Sequence, residues 1–359
     1  MTYLGSSPLA IEQKMPKRCR GCDQPLTKDN DSDAHVIPQA LGGRLAPRGI
    51  LCSKCNGVLN DVADLPLVRA FGAWPTLLDV PRQHGKQPSK MVETRKGYNV
   101  SLESDGSMMR RDVVYDVAPI PDGHNVVIGA GHMKTARQLI AKAKAAFPQL
   151  DVAEAEKHLK VVALPPDDEI KLSVDFSPQA VFGGILTAVW IFLIHTTGRA
   201  FLEFDALLKC IKSMQEHGGT FRYFVEELPG LKGPTVRFGH KVIARSVPAT
   251  GELIVYVEIL GVLKVGGLFA KGLPGHELEH VYAYDLAQKA ERSSEFTING
   301  ALFDVQDWRK AGLGIADAPA LRAHFGDVLT SLSEIYYKQR LASVSSADGE
   351  EPQSVKPAT

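Results

Sequence analysis

The chain has 359 residues, 44% of them hydrophobic and 23% charged, with 41 basic and 41 acidic side chains that cancel at pH 7. These values describe a foldable polymer with a sizeable core and exclude a disordered or low-complexity chain. Zero net charge also excludes recruitment to nucleic acid or an anionic membrane by a global field, so any DNA contact must be local.

In chain order, Ser6, Ser7, Glu12, Gln13 and Lys14 interrupt the stretch where a secretory leader would place its apolar run. The expectation is a cytoplasmic protein. Five cysteines are too few for a disulfide framework. Four of them form Cys19-Arg20-Gly21-Cys22 and Cys52-Ser53-Lys54-Cys55, with 29 residues between the pairs. Each pair can present two thiolates from one tight knuckle. Four thiolates satisfy the tetrahedral preference of zinc and close it to substrate, so Cys19, Cys22, Cys52 and Cys55 are expected to hold a structural Zn2+. The surrounding residues 1–85 are rich in Cys, Gly, Pro and Asp and poor in long periodic runs, as in a small fold where metal replaces much of the core.

Between the pairs stand Ala34-His35-Val36-Ile37-Pro38 and Leu41-Gly42-Gly43, and Asn56 follows Cys55 directly. Over about residues 19–64 this text resembles the four-cysteine subgroup of the HNH endonucleases. The resemblance implies a treble-clef-like ββα-metal module that hydrolyses DNA phosphodiester bonds. It further implies His35 as general base, Asn56 as a ligand of a catalytic Mg2+ or Mn2+, and a phage, mobile-element or defence context. Family members carry Asp or Glu immediately before the signature His, where this chain has Ala34. Asp33 could replace that ligand where the strand ends or bulges, since neighbouring strand residues point to opposite faces. Asp31 is a weaker substitute, Pro47 stands near the middle Asn of the general pattern, and Asn60 replaces a helix glycine. Asp64 keeps an acid that could bind or orient the ion. The changed ligand leaves a second reading open, a catalytically inactive zinc module that binds nucleic acid or a partner. Lys14, Lys17, Arg18, Arg20, Arg44, Arg48 and Lys54 could neutralise phosphates locally, although Asp23, Asp29, Asp31 and Asp33 lie among them.

The polar stretch Val80 to Lys90 reads as an exposed connection to a larger mixed α+β domain, residues 86–343, followed by a disordered tail over 344–359. Met91 to Val117 alternates around a Ser104-Asp105-Gly106-Ser107 turn and predicts a hairpin; Val126 to Ile128 predicts a short strand. Thr135 to Phe147 predicts a helix, and Val161 to Leu164 and Ile170 to Phe176 predict strands. Ser177-Pro178 opens a long helix, and Phe204 to His217 forms a second, ended by Gly218-Gly219. Leu253 to Leu260 and Val262 to Phe269 predict a strand pair about Gly261, and Ala318 to Leu341 a terminal helix. Ala180 to Thr197 has no charged residue over 18 positions, the lower limit for a bilayer span. Gly183 and Gly184 within it, and Arg199, Glu203 and Asp205 after it, favour a buried helix and no membrane partner.

His276-Glu277-Leu278-Glu279-His280 matches the zinc-protease pattern, which requires a helix. The preceding Pro274-Gly275 and the strand-like Val281-Tyr282-Ala283-Tyr284 argue against one. Gly129-Ala130-Gly131 reads as a tight turn, and His195, Trp190, Phe192, Phe201 and Cys210 read as core. The larger domain carries no nameable site, leaving room for a ligand or protein partner. Cutting both strands with a single-site module would call for a homodimer.

Overall fold

The structure is a computed structural model that describes residues 17–121, 123–159, 169–217, 221–224, 228–247, 250–269, 277–300, 302, 319, 323–332 and 334. The N-terminal module forms as the cysteine spacing and the glycines dictate. A turn closes the first knuckle through Asp23 N to Cys19 O and Cys19 N to Gln24 O, at 2.9 and 2.8 Å. The extended segment 34–36 then runs beside 45–47, bonded by Ala34 N to Pro47 O and Val36 N to Leu45 O. Leu41-Gly42-Gly43 makes the bend between them. Gly42 sits at φ 90°, and a Cβ there would lie 2.8 Å from Leu286 and 2.9 Å from Val80; a Cβ on Gly43 would collide with the Ile37 carbonyl. Helix α1 (Ser53–Leu59) starts at the second knuckle, runs through a wide π turn over Asn60–Asp64, and continues into α2 (Leu65–Ala70), with a short α3 (Trp74–Leu77) beyond. Two extended segments followed by a helix, stapled by two knuckles, are the treble-clef-like module expected.

The larger α+β region begins with strands β1 (Lys90–Thr94), β2 (Asn99–Leu102) and β3 (Met108–Arg110); the hairpin turn falls at Ser104–Ser107 as expected, but its second arm is Met108–Arg110, and Val114 to Val117 pair elsewhere. Next come a separate hairpin of β4 (Val114–Ile120) and β5 (Gly123–Gly129), helices α4 (Met133–Ala146) and α5 (Val152–Lys157), and β6 (Ile170–Lys171). Strand β6 completes an antiparallel sheet of order β3-β2-β1-β6. The strand expected over Ile170 to Phe176 is only these two residues. Beyond them the chain leaves the ladder, and Asp175 N donates instead to Ala70 O at the end of α2. The expected strand at 161–164 and the tail at 344–359 lie outside the described residues, as do Gly218-Gly219.

Helix α6 (Pro178–Thr197) is the centre of the molecule, with every residue from Val181 to Ile194 buried. By length and composition it could cross a membrane, yet 78% of its apolar window is buried inside the protein. Its glycines explain the packing. A Cβ on Gly184 would lie 2.6 Å from Leu67 of α2, and one on Gly183 would lie 3.1 Å from Ile211 of α7 (Phe204–His217). Small residues at those points let two neighbouring helices approach the backbone.

Against α6 lies a sheet whose order is β13-β12-β9-β10-β11-β7, built from β7 (Arg222–Tyr223), β9 (Gly239–Val247), β10 (Glu252–Ile259), β11 (Leu263–Phe269), β12 (Glu279–Asp285) and β13 (Ala290–Glu291). A two-residue strand β8 (Leu231–Lys232) pairs with β14 (Thr297–Ile298) at its margin. The β10–β11 pair turns at Leu260-Gly261, where both residues have positive φ, as the sequence implied. Residues 323–332 are helical, within the expected terminal helix; most of the remainder of 318–341 is outside the described residues. One hydrophobic cluster runs from Cys19, Ala34 and Leu59 through α6 to Val255 and Val265 of the sheet, so the zinc module and the larger region share a core.

Candidate functional site

The four cysteine sulfurs lie within 4.8 Å of one another. Backbone amides support the cage: Gly21 N and Cys52 N donate to Cys19 Sγ at 3.3 and 3.2 Å, and the Cys22 and Cys52 sulfurs are 3.8 Å apart. Burial opposes ionisation of Cys19, but the amide donors of Cys52, Cys22 and Gly21 outweigh it and bring the thiol down to about 7. Cys55 goes the other way, pushed up by burial and by the neighbouring thiols. Soft donors converging at this spacing fit zinc, with Cys19, Cys22, Cys52 and Cys55 as its ligands. Packing ties the cage to the rest of the fold, because a Cβ on Gly21 would lie 3.4 Å from Phe204 and Arg20 Nη2 donates to Gly198 O at the end of α6.

His35 sits between Ala34 and Val36, which are 0% and 1% exposed, and is itself half-buried, its ring turned away from the side its neighbours bury. Asp33, two residues earlier, is exposed. A carboxylate at position 34 would instead be driven into the core, where Ala34 is 0% exposed. From α1, Asn56 Nδ2 donates to the Asp33 carbonyl at 3.2 Å, which fixes the helix to the strand and leaves the amide oxygen for a hard cation. The Asp33 carboxylate faces Arg48 Nε at 3.7 Å, an exposed pair that a divalent ion could displace. Asp33 and Asn56 offer oxygen donors of the kind a hard ion takes, whereas among the described residues only the cysteines form a convergent group of three or more His, Cys, Asp or Glu ligands.

The other candidates take different places. Asp31 is used structurally, accepting from Gly49 N at 2.8 Å and pairing with Arg48 at 3.4 Å. Asp64 is half-buried in the π turn, and burial pushes its carboxyl up to about 7. No hydrogen bond or ion pair among the described residues joins it to His35, Asn56 or Asp33. Asp61, passed over in the sequence, is exposed and accepts from Asn60 Nδ2.

Sequence reasoning also missed Gln83, whose Oε1 lies 3.3 Å from His35 Nε2; a residue in a polar connecting stretch gives no signal of that contact. His195, expected in the core, is exposed on the last turn of α6. It lines a cleft of about 700 Å³ with Arg18, Arg20 and Arg48 from the zinc module. The zinc-protease pattern fails structurally, since His280 lies on β12; His276 is outside the described residues.

The segment thus combines a four-cysteine cage that fits zinc, two paired extended segments carrying Asp33 and His35, and a helix whose Asn56 bonds the Asp33 carbonyl. Residues 19–72 match the family model of the HNH endonucleases. No curated protein and no solved structure matches the chain.

Proposed function

We propose that this segment carries a metal-dependent endonuclease site that hydrolyses DNA phosphodiester bonds. His35 is the general base, Asp33 and Asn56 hold a Mg2+ or Mn2+ ion, and the cysteine cage holds a structural Zn2+. The observation that carries the reading is the match of residues 19–72 to the HNH endonucleases, and it is supported by the bond from Asn56 on α1 to the Asp33 carbonyl, two residues before His35. His35 takes a proton from water as its oxygen bonds to phosphorus, and the bond from phosphorus to the leaving sugar oxygen breaks. The ion, when bound, would offset the charge gathering on the phosphate and the leaving oxygen. Arg48, beside Asp33, and Lys54, on α1, can take adjacent phosphates.

A second reading, a zinc module that binds nucleic acid without cutting it, is favoured by the buried Ala34 and by the Arg48 pairing of Asp33. Nicking of supercoiled plasmid by the zinc-loaded full chain separates the two. The nuclease reading expects Mg2+- or Mn2+-dependent relaxation that falls about 100-fold or more in His35→Ala. Tight, salt-sensitive binding with no relaxation would replace it with the binding module.

A further inference from the structure

The stretch from Pro81 to Pro88 has the composition of a free connection, yet it is pinned at three points. Gln87 is buried, and its amide donates to Ala40 O at 3.0 Å and Val80 O at 2.9 Å, tying the end of the loop both to its own start and to the bend after His35. Thr76 Oγ1 donates to Pro88 O at 2.9 Å, anchoring the exit to α3. Gly85 takes φ 69° at the tip with nothing within 4 Å of its virtual Cβ, so the loop folds back over open space. Its third contact is Gln83 against His35.

We infer that Gln83 is the positioning residue of His35: its Oε1 accepts the Nε2 proton, fixing one tautomer and the ring plane and leaving Nδ1 as the nitrogen that takes the proton from water. The role rests on the nuclease reading of His35, while the hydrogen bond that performs it does not. An imidazole with one nitrogen held as donor presents the other as acceptor. Ala34 and Val36 are buried while His35 between them is only half-buried, and its side-chain hydrogen bond is the one to Gln83. The anchoring through Gln87 supplies what a free loop lacks, a fixed distance between the Gln83 backbone and the His35 segment. The side chain that hydrogen-bonds this ring is Gln83, and its neutral amide oxygen can only accept, so it sets the tautomer.

The test compares wild type, Gln83→Leu and Gln83→Glu in the full, zinc-loaded chain. The first readout is the 15N tautomer ratio of the His35 ring at about pH 8.5, above the ordinary imidazole range, with the signal assigned by its loss in His35→Ala. Wild type and Gln83→Glu, which keeps an acceptor oxygen, are expected mainly as the Nε2–H form, and Gln83→Leu as a mixture. The second readout is plasmid nicking, where Gln83→Leu should lose about tenfold in kcat with KM unchanged and Gln83→Glu should retain most of it. An unchanged tautomer ratio in Gln83→Leu overturns the inference whatever the activity does. A shifted ratio in a chain that does not nick upholds the contact and removes only the nuclease reading beneath it.

Discussion

Replacing Ala34 by Asp restores, on paper, the acidic residue that HNH sequences place before the signature histidine, and the structure predicts that it will harm the protein rather than help it. Ala34 is 0% exposed within the main core, and its amide is held by Pro47 O at 3.1 Å, so the new side chain cannot swing to the open face without breaking the strand pairing. Burial without a partner raises a carboxyl by up to about 3–5 pKa units, and each unit is worth about 1.36 kcal/mol. Because the unfolded pKa is about 3.9, the ionisation penalty at pH 7 reaches about 4 kcal/mol, much of the total stability of an ordinary domain. Its sign with pH follows. A folded pKa raised above the unfolded value of about 3.9 means the penalty is absent in acid and grows as pH rises from there to the folded pKa. Urea unfolding of wild type and Ala34→Asp at about pH 4 and pH 7 reads this directly: overpacking separates the midpoints at both values, and the separation widens at the higher pH. Asp33→Asn is the companion variant. It loses one exposed ion pair, worth less than about 1 kcal/mol, while metal-dependent nicking is abolished. If Ala34→Asp keeps wild-type stability at pH 7 and nicks faster, residue 34 faces the site and the assignment of Asp33 fails.

Other expectations follow from the same geometry. Purified chain should carry one zinc per molecule by elemental analysis, and Cys55→Ser or a strong chelator should lower stability by about 3 kcal/mol or more, since the cage packs on Phe204 and bonds to the end of α6; an unchanged melting curve in metal-free protein would contradict the cage. Gly43→Ala should destabilise by more than about 2 kcal/mol through its collision with the Ile37 carbonyl, whereas Gly57→Ala, with nothing within 4 Å, should be neutral or mildly stabilising on its helix; equal effects in a denaturation series would refute the packing of the bend. Two opposed titrations overlap. Asp64, raised by burial to about 7, stabilises in acid and loses that contribution as pH rises from about 4 through 7. His240, lowered by burial to about 3, is neutral in the fold and costs stability as pH falls from about 6.5 toward 3. Their contributions offset each other over about pH 4 to 6.5, so Asp64→Asn should leave stability rising with pH across that window and His240→Gln should leave it falling, and a profile unaltered by either places the titrating groups elsewhere.

What could be read in the sequence was whatever depends on local spacing, and what could not was whatever depends on which surfaces meet. Two cysteine pairs announce a cage because a knuckle is a four-residue object, and the long helix after Ser177-Pro178 is legible because capping and apolar content act within one segment. The histidine of that helix was misread for the same reason. His195 shares the apolar run, but the run ends one turn earlier in space, where Arg20 meets Gly198 and the cleft opens. Gly183 and Gly184 looked like dilution of an apolar run, and their meaning needs α7 and α2 on either side. Residues 81–88 make the point most sharply. Pro, Gly and polar side chains predict exposure correctly for most of the loop, yet nothing in that composition distinguishes Gln83 from Gln87, one reaching a histidine 48 positions away and the other buried against Ala40. The absent acid at 34 is instructive in the same way. Read along the chain it is a lost ligand; read against the alternation of buried and open residues, the position could not have presented a carboxylate to the open face, and Asp33 could. Under the proposed nuclease reading, the acid that serves the ion is thus chosen by which side chains the hydrophobic core leaves outside.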